Sequence, residues 1–269
     1  TSKDNKNNYQ NPDTLVSFNY HYNLDQDWIL SYDIKRVNRN LRNCFFISQE
    51  DVKDKEVLII GCGNGAEIRA FSELKPSYII AVDLTDSINK VAQNVLDVKN
   101  VTIIQADACK PLLLKNSVDV VFCDGVLPHV QEPVKMIENM VEMTKPGGVV
   151  WFRTMLKTSI GRDLLYVLPR RILRGIFRRL PTSAFWKLCY LFGKLANIPL
   201  IGRIAKLAFV YYDPYDNSVK VTQLANYRRY GEHAYRRRFS KEYLKKVLIE
   251  KYPGAKTQIL GNVFRIEVM

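Results

Sequence analysis

The sequence predicts an α/β fold built on a mostly parallel sheet with helices on both faces. Three observations carry that reading. Between Glu56 and Thr154, short runs that are apolar throughout alternate with amphipathic stretches, the pattern of buried parallel strands joined by covering helices. The first of these runs, "EVLII", enters a loop holding Gly61, Gly63 and Gly65 and then a helical stretch. The chain ends in "TQIL-GN-VFRIEVM", two strand-like runs joined at Gly261-Asn262, which reads as a hairpin. With 269 residues, 47% of them hydrophobic, the chain can bury a core of the required size.

Taken in order, residues 1–13 ("TSKDNKNNYQNPD") form a polar, Asn-rich lead without an apolar core, and residues 14–55 form an aromatic-rich helical cap. The lead and the lack of any later uncharged apolar run of about 18 residues predict neither a signal peptide nor a membrane span. Residues 56–156 form the main core. "EVLIIG" is a strand, and "AEIRAFSEL" is a helix stopped before Lys75 and Pro76. "YIIAVDL" is a second strand, followed by the helix "SINKVAQNVLD" with Ile88, Val91, Ala92 and Val95 on one face. "VTIIQAD" and "VDVVFCDG" are the third and fourth strands. "EPVKMIENMVEMT" is a helix with Pro133 in its first turn and Val134, Ile137, Met140 and Val141 inward, and "KPGG" turns the chain into a fifth strand, "VVWFRT". Residues 239–269 complete the core, with Ser240 capping the helix "KEYLKKVLIEKY" ahead of the hairpin.

Residues 157–238 break this rhythm and read as a basic helical insertion, a lid. "LPRRILRGIFRRLP" sets Ile172, Leu173, Ile176, Phe177 and Leu180 against Arg170, Arg171, Arg174, Arg178 and Arg179. The net charge is +13, and between Arg153 and Phe209 twelve basic residues face one acid, Asp163. Such a segment is a solvated lid, a seat on an anionic membrane surface through Arg170 to Arg179, or a nucleic-acid contact. The third is disfavoured because the insertion is more apolar than phosphate tracking needs.

The glycine loop alone admits two cofactors, since Gly61, Gly63 and Ala66 also satisfy the dinucleotide pattern G-x-G-x-x-A, with Asp83 near the ribose-binding distance. The strand ends beyond the loop are more specific. Asp83 ends the second strand, Asp107 the third within "QADACKPL", "FCDGVLPHV" the fourth, and "KPGG" precedes the fifth. This constellation resembles the class I S-adenosylmethionine-dependent methyltransferases, with their Rossmann-like, mostly parallel seven-stranded sheet and antiparallel terminal hairpin. The resemblance implies that Gly61, Cys62, Gly63 and Gly65 lie against the methionine part of S-adenosyl-L-methionine. It sets Asp83 with Leu84 on the ribose, Asp107 with Ala108 at the adenine amine, and Asp124, Gly125 and Val126 beside the sulfonium. "GVLPHVQEP" is similar to the "GVLHH…P" form of the fourth motif in one subgroup. The aromatic "FGYQW"-like stretch of that subgroup corresponds here to "FNYHYNL", which lacks the Gln and the Trp.

Methyl transfer is an in-line displacement, and orientation alone reaches effective molarities on the order of 10⁵ to 10⁸ M, so a general base is optional. The first candidate is His129, just after the fourth strand, because imidazole titrates near neutrality. The bland alternative is that it caps a turn or packs under the cofactor. Tyr20, Tyr22, Tyr230 and His233 are substrate or lid candidates, each with a packing role as the alternative. The five cysteines form no C-x-x-C pair and suggest a reducing, cytoplasmic compartment, and no metal is expected from three scattered histidines.

The expected function is methyl transfer to oxygen or nitrogen of a small-molecule or lipid-linked acceptor of sugar, prenyl or polyketide type. An RNA methyltransferase, a catalytically silent cofactor-binding subunit and an NAD(P)-dependent oxidoreductase remain as alternatives. The oligomeric state is left open.

Overall fold

The computed structural model describes residue 18 and residues 27–157, 168–177, 179–231 and 237–269. The described chain divides into two compact units, residues 1–157 with 234–269 and residues 158–233.

The first unit is a seven-stranded sheet. Its strands are β1 (Glu56–Ile60), β2 (Tyr78–Asp83), β3 (Val101–Gln105), β4 (Val118–Asp124), β5 (Thr144–Arg153), β6 (Lys256–Leu260) and β7 (Val263–Glu267), arranged β3-β2-β1-β4-β5-β7-β6. The first five pair in parallel, and β7 runs antiparallel to both β5 and β6. Because side chains alternate across a strand, each central strand feeds two cores. Val57, Ile59, Val120, Phe122 and Trp151 point to one, and Leu58, Ile60, Val121, Cys123 and Phe152 to the other.

Helices α1 (Asp27–Asn40), α3 (Ala66–Ser72) and α4 (Ile88–Asn94) cover the first face. A π-helical turn, Leu41–Phe45, and a single turn α2 (Gln49–Val52) connect α1 to β1. Phe122 sits between the rings of Phe45 and Phe71, each with its centroid 4.8 Å away. The second face is closed by α5 (Pro133–Met143) and α10 (Lys241–Lys251), through Met136, Ile137, Met140, Leu244 and Leu248. Ser240 caps α10, its hydroxyl accepting the Tyr243 N–H at 3.1 Å.

Two local expectations change. The fifth strand begins at Thr144, not at Val149, because Lys145 to Gly148 are taken into it as an irregularity: Val118 pairs Thr144 while Val120 pairs Val149. Helix α4 ends at Asn94, and it buries Val91 while leaving Ala92 exposed rather than inward.

The second unit has its own core among α6 (Leu168–Phe177), α7 (Thr182–Ala196), α8 (Ile201–Ala208) and α9 (Val219–Gly231). Phe177 lies at the centre of an aromatic cluster with Phe185, Phe192 and Tyr230. Asn226 joins the α8–α9 connection to α9, accepting from the Tyr211 N–H at 2.9 Å and donating to the Tyr211 carbonyl at 2.7 Å.

Candidate functional site

Four strand ends and the loops leaving them enclose a cleft. Ile60 and Gly61 come from the end of β1, Val82 to Thr85 from β2, Ala106 to Ala108 from β3, and Asp124 to Val126 with His129 and Val130 from β4, with Phe18 completing the lining. The atom-free space among them is ≈ 690 Å³, part of it open to solvent. Strand order reverses between β1 and β4, and open parallel sheets hold ligands at the carboxyl ends of strands beside that point.

The floor of the cleft requires glycine. Gly61 has φ +79°, and a Cβ there would lie 2.2 Å from Val126 Cγ2, so only a bare backbone lets the first loop meet the loop after β4. Asp83 fixes the loop from the neighbouring strand. Its Oδ2 accepts the Gly63 N–H at 2.9 Å, and its Oδ1 accepts the Thr85 N–H at 2.9 Å and the Thr85 hydroxyl at 2.7 Å. An ionised carboxylate has about four acceptor positions, so Oδ2 keeps one for a ligand hydroxyl. Asp107 folds its own loop by accepting the Cys109 N–H on Oδ1 at 2.9 Å, which leaves Oδ2 for an amino group.

The cap reaches the same loop. Buried Asp33 on α1 accepts from Asn64 Nδ2 at 2.8 Å, and the Asn64 carbonyl accepts from Asn94 at 2.8 Å. Asp124 is held by Arg153, whose Nε and Nη2 donate to its two oxygens at 2.6 and 2.5 Å, while the guanidinium lies 5.3 Å from the Phe45 ring centroid. Bidentate pairing of this kind fixes the carboxylate plane as well as its charge. His129 ends a short 3₁₀ turn, Leu127–His129, its N–H donating to the Val126 carbonyl at 2.9 Å. Its imidazole meets the Phe18 ring edge-on, with centroids 4.9 Å apart.

Of the residues expected from sequence, Gly61, Asp83, Leu84, Asp107, Ala108, Asp124, Gly125, Val126 and His129 line this one cleft. Cys62, Gly63 and Gly65 lie behind the lining: Cys62 is buried, with its thiol pushed up by burial and by Asp83, and Gly65 leads into α3. Tyr230 belongs to the core of the helical unit, where its hydroxyl donates to the Phe209 carbonyl. Tyr20, Tyr22 and His233 lie outside the described residues. Sequence reasoning missed Thr85, Asp33 and Arg153. The "D-L-T" spacing, an acid with a hydroxyl two residues on, carried a local signal for Thr85. Asp33 and Arg153 meet their partners only through the fold. Among the described residues no acid, His and Cys cluster could hold a metal ion.

Residues 58–152 match the family model described as "Methyltransferase domain". Curated relatives include the ubiquinone biosynthesis O-methyltransferase of Coxiella burnetii strain RSA 493, 29% identical over 136 residues, 46% of this chain and 58% of the relative. The protein of the same name from Nitrosospira multiformis is 32% identical over 127 residues, 43% of this chain and 53% of the relative. The chain thus spans a little over half the length of the curated relatives it matches. Among solved structures, an N-methyltransferase from Bradyrhizobium japonicum in complex with S-adenosyl-L-homocysteine is 20% identical, with a TM-score of 0.46 over 54% of this chain and 74% of that one.

Behind Asp124 lies a group of charges with one acid in excess. Arg36 is 3.5 Å from Asp33, and Asp33, Glu67 and Asp124 together hold its guanidinium protonated against the effect of burial. Glu67 bears the consequence: burial pushes its carboxyl up to about 8, with Arg36 opposing and Asp124 and Asp33 adding to the rise. A carboxyl whose pKa is raised by folding contributes its stability below its ordinary value of 4.5 and loses it as pH rises toward 8. Glu67→Gln removes that dependence. Urea unfolding of both proteins should therefore shift in the variant's favour between pH 5 and pH 8, and parallel curves would show that Glu67 ionises at no cost.

Proposed function

We propose that this chain, whose residues 58–152 match the family model of a methyltransferase domain, transfers a methyl group from S-adenosyl-L-methionine to an oxygen of a small-molecule or lipid-linked acceptor. The observation that carries the proposal is the donor and acceptor set of the cleft: among the described lining residues stand three carboxylates, Asp83, Asp107 and Asp124, and no lysine or arginine. That set suits a cationic nucleoside. The pyrophosphate of a nicotinamide dinucleotide would need N–H donors or cations where this cleft offers acids.

The residues present suit the cofactor part by part. Asp83 Oδ2 would accept a ribose hydroxyl and Asp107 Oδ2 the adenine amine, in keeping with the acceptor positions each retains. Leu84, Ala106 and Ala108 supply apolar surface for the base. Gly61 and Gly125 leave room for the amino-acid tail and the sulfonium, beside an Asp124 that Arg153 holds by both oxygens. When bound, the cofactor supplies an electrophilic methyl on a cationic sulfur.

The protein's part is then orientation and exclusion of water. A reactant aligned with the methyl gains most of its acceleration from position alone. His129, on the β4 side of the cleft and steadied by Phe18, would take the proton of an attacking hydroxyl. Oxygen is preferred to nitrogen as acceptor because the curated relatives are O-methyltransferases by name. A prenylated or otherwise lipid-linked ring agrees with those names and with the apolar, basic helical unit.

Calorimetry with S-adenosylhomocysteine and with NADH side by side should give binding for the first and none for the second; the reverse would return the oxidoreductase reading. Once an acceptor is found, His129→Ala should lower kcat by about 10² to 10⁴ while leaving cofactor affinity within a few-fold. An unchanged kcat would remove His129 from proton transfer and leave it a packing residue.

A further inference from the structure

The helical unit exposes large apolar residues as well as burying an aromatic core. Leu168, Ile172 and Ile176 stand four apart on α6, one stripe of a helix, and are 45%, 57% and 53% exposed. Arg170 and Arg174 turn the other way. Arg170 donates to the Lys206 carbonyl at 3.2 Å and stacks 4.7 Å over Tyr211, and Arg174 donates to the Arg229 carbonyl at 3.0 Å. In an ordinary surface helix the apolar stripe faces inward and the cations face solvent. Here the cations near the stripe close off main-chain carbonyls within the unit, and the isoleucines face out.

A second apolar feature lies on the neighbouring element, since Arg170 of α6 bonds the last turn of α8. The tip "IPLIGRI" exposes Ile198, Leu200, Ile201 and Ile204 at 44%, 70%, 51% and 61%. Leu200 is held at φ 62°, ψ −58°, inside a γ-turn closed by the Ile201 N–H on the Pro199 carbonyl at 2.7 Å. That turn is rare and strained for a residue with a Cβ. A side chain kept in a costly conformation in order to stand in water points to a surface that covers it.

The charge carried by the unit's described residues points to the covering surface. Arg179, Lys187, Lys194 and Arg203 are exposed, and the acids of the unit's described residues are two, Asp213 and Asp216. Asp213 is buried and accepts the Tyr215 N–H. Exposed apolar side chains on a unit whose described residues carry many exposed cations and few acids match an anionic bilayer, where isoleucines enter the acyl boundary and cations meet phosphate. No helix among the described residues is long and apolar enough to cross a membrane.

We propose that the α6 stripe and the α8 tip form a seat for an anionic phospholipid surface, holding the protein at the bilayer without spanning it. The seat is independent of the methyl-transfer reading, because neither its residues nor its test involves the cleft. A lipid-linked acceptor would meet the protein at that surface.

Sedimentation with phosphatidylcholine vesicles containing phosphatidylglycerol, against pure phosphatidylcholine, tests it. The wild type should pellet with the anionic vesicles and release in about 1 M salt, where the screening length falls to ~3 Å. Ile172→Gln with Ile176→Gln, and separately Leu200→Gln with Ile204→Gln, should each weaken partition about ten-fold or more, with unchanged thermal melting because the side chains are exposed. Arg203→Glu should weaken it by about an order of magnitude through the reversed charge. Wild type left in the supernatant would overturn the proposal, as would partition indifferent to lipid charge or variants that pellet like wild type. So would a stable dimer in ultracentrifugation that Ile172→Gln with Ile176→Gln dissociates, since a second copy would then be the occupant.

Discussion

Asp83 ends β2 and uses both of its oxygens to organise main chain that no strand can hold. One oxygen fixes the Gly63 N–H and the other the Thr85 N–H and hydroxyl, so the loops after β1 and β2 are set by a single buried carboxylate. Hydrogen bonds to an ionised acceptor are about twice as strong as neutral ones, and their loss would leave buried N–H groups without partners. The rest of the site depends on this geometry. Gly61 can approach Val126 only while the loop keeps its path, and Asn64 is then presented to Asp33 of the cap.

The electrostatic character of the cleft comes from the same economy of positions. Parallel strands deliver their carboxyl ends to one edge, and an acid stands at or just beyond three of those ends, Asp83, Asp107 and Asp124. Three carboxylates close together would repel, and the fold manages this with backbone donors for two and Arg153 for the third. The compensation is local and leaves acceptor capacity facing the ligand. It also explains why charge further back is crowded: Arg36 serves Asp33, Glu67 and Asp124 together, and Glu67 is the acid whose carboxyl is pushed up by burial.

Much of the sheet was legible because strands buried on both faces must be apolar in their interiors, and β1 from Val57 to Ile60, β2 from Ile79 to Val82 and β4 from Val120 to Cys123 are. The cleft acids were legible because each stands where an apolar run stops. Other features depend on the fold and leave no local trace. The Lys-Pro-Gly-Gly stretch has turn composition, yet β4 draws it into β5 as an irregularity. Period alone separates the two faces of α6 without saying which one turns inward, and the packing of Phe177 with Phe185, Phe192 and Tyr230 decides it in favour of a face that includes two arginines. Asp33 and Arg153 find Asn64 and Asp124 at separations of 31 and 29 residues, beyond the reach of any spacing rule.

The central claim is that these strand-end acids hold an adenosine. Asp107→Asn isolates it, since the amide oxygen can still accept the Cys109 N–H that shapes the loop while an NH₂ group replaces the oxygen meant for the base. In calorimetry with S-adenosylhomocysteine the variant should bind about ten-fold or more weakly, the size expected for losing a hydrogen bond to a charged group. Affinity equal to that of the wild type would mean that Asp107 does not touch the base, and the assignment of the cleft would fall with it.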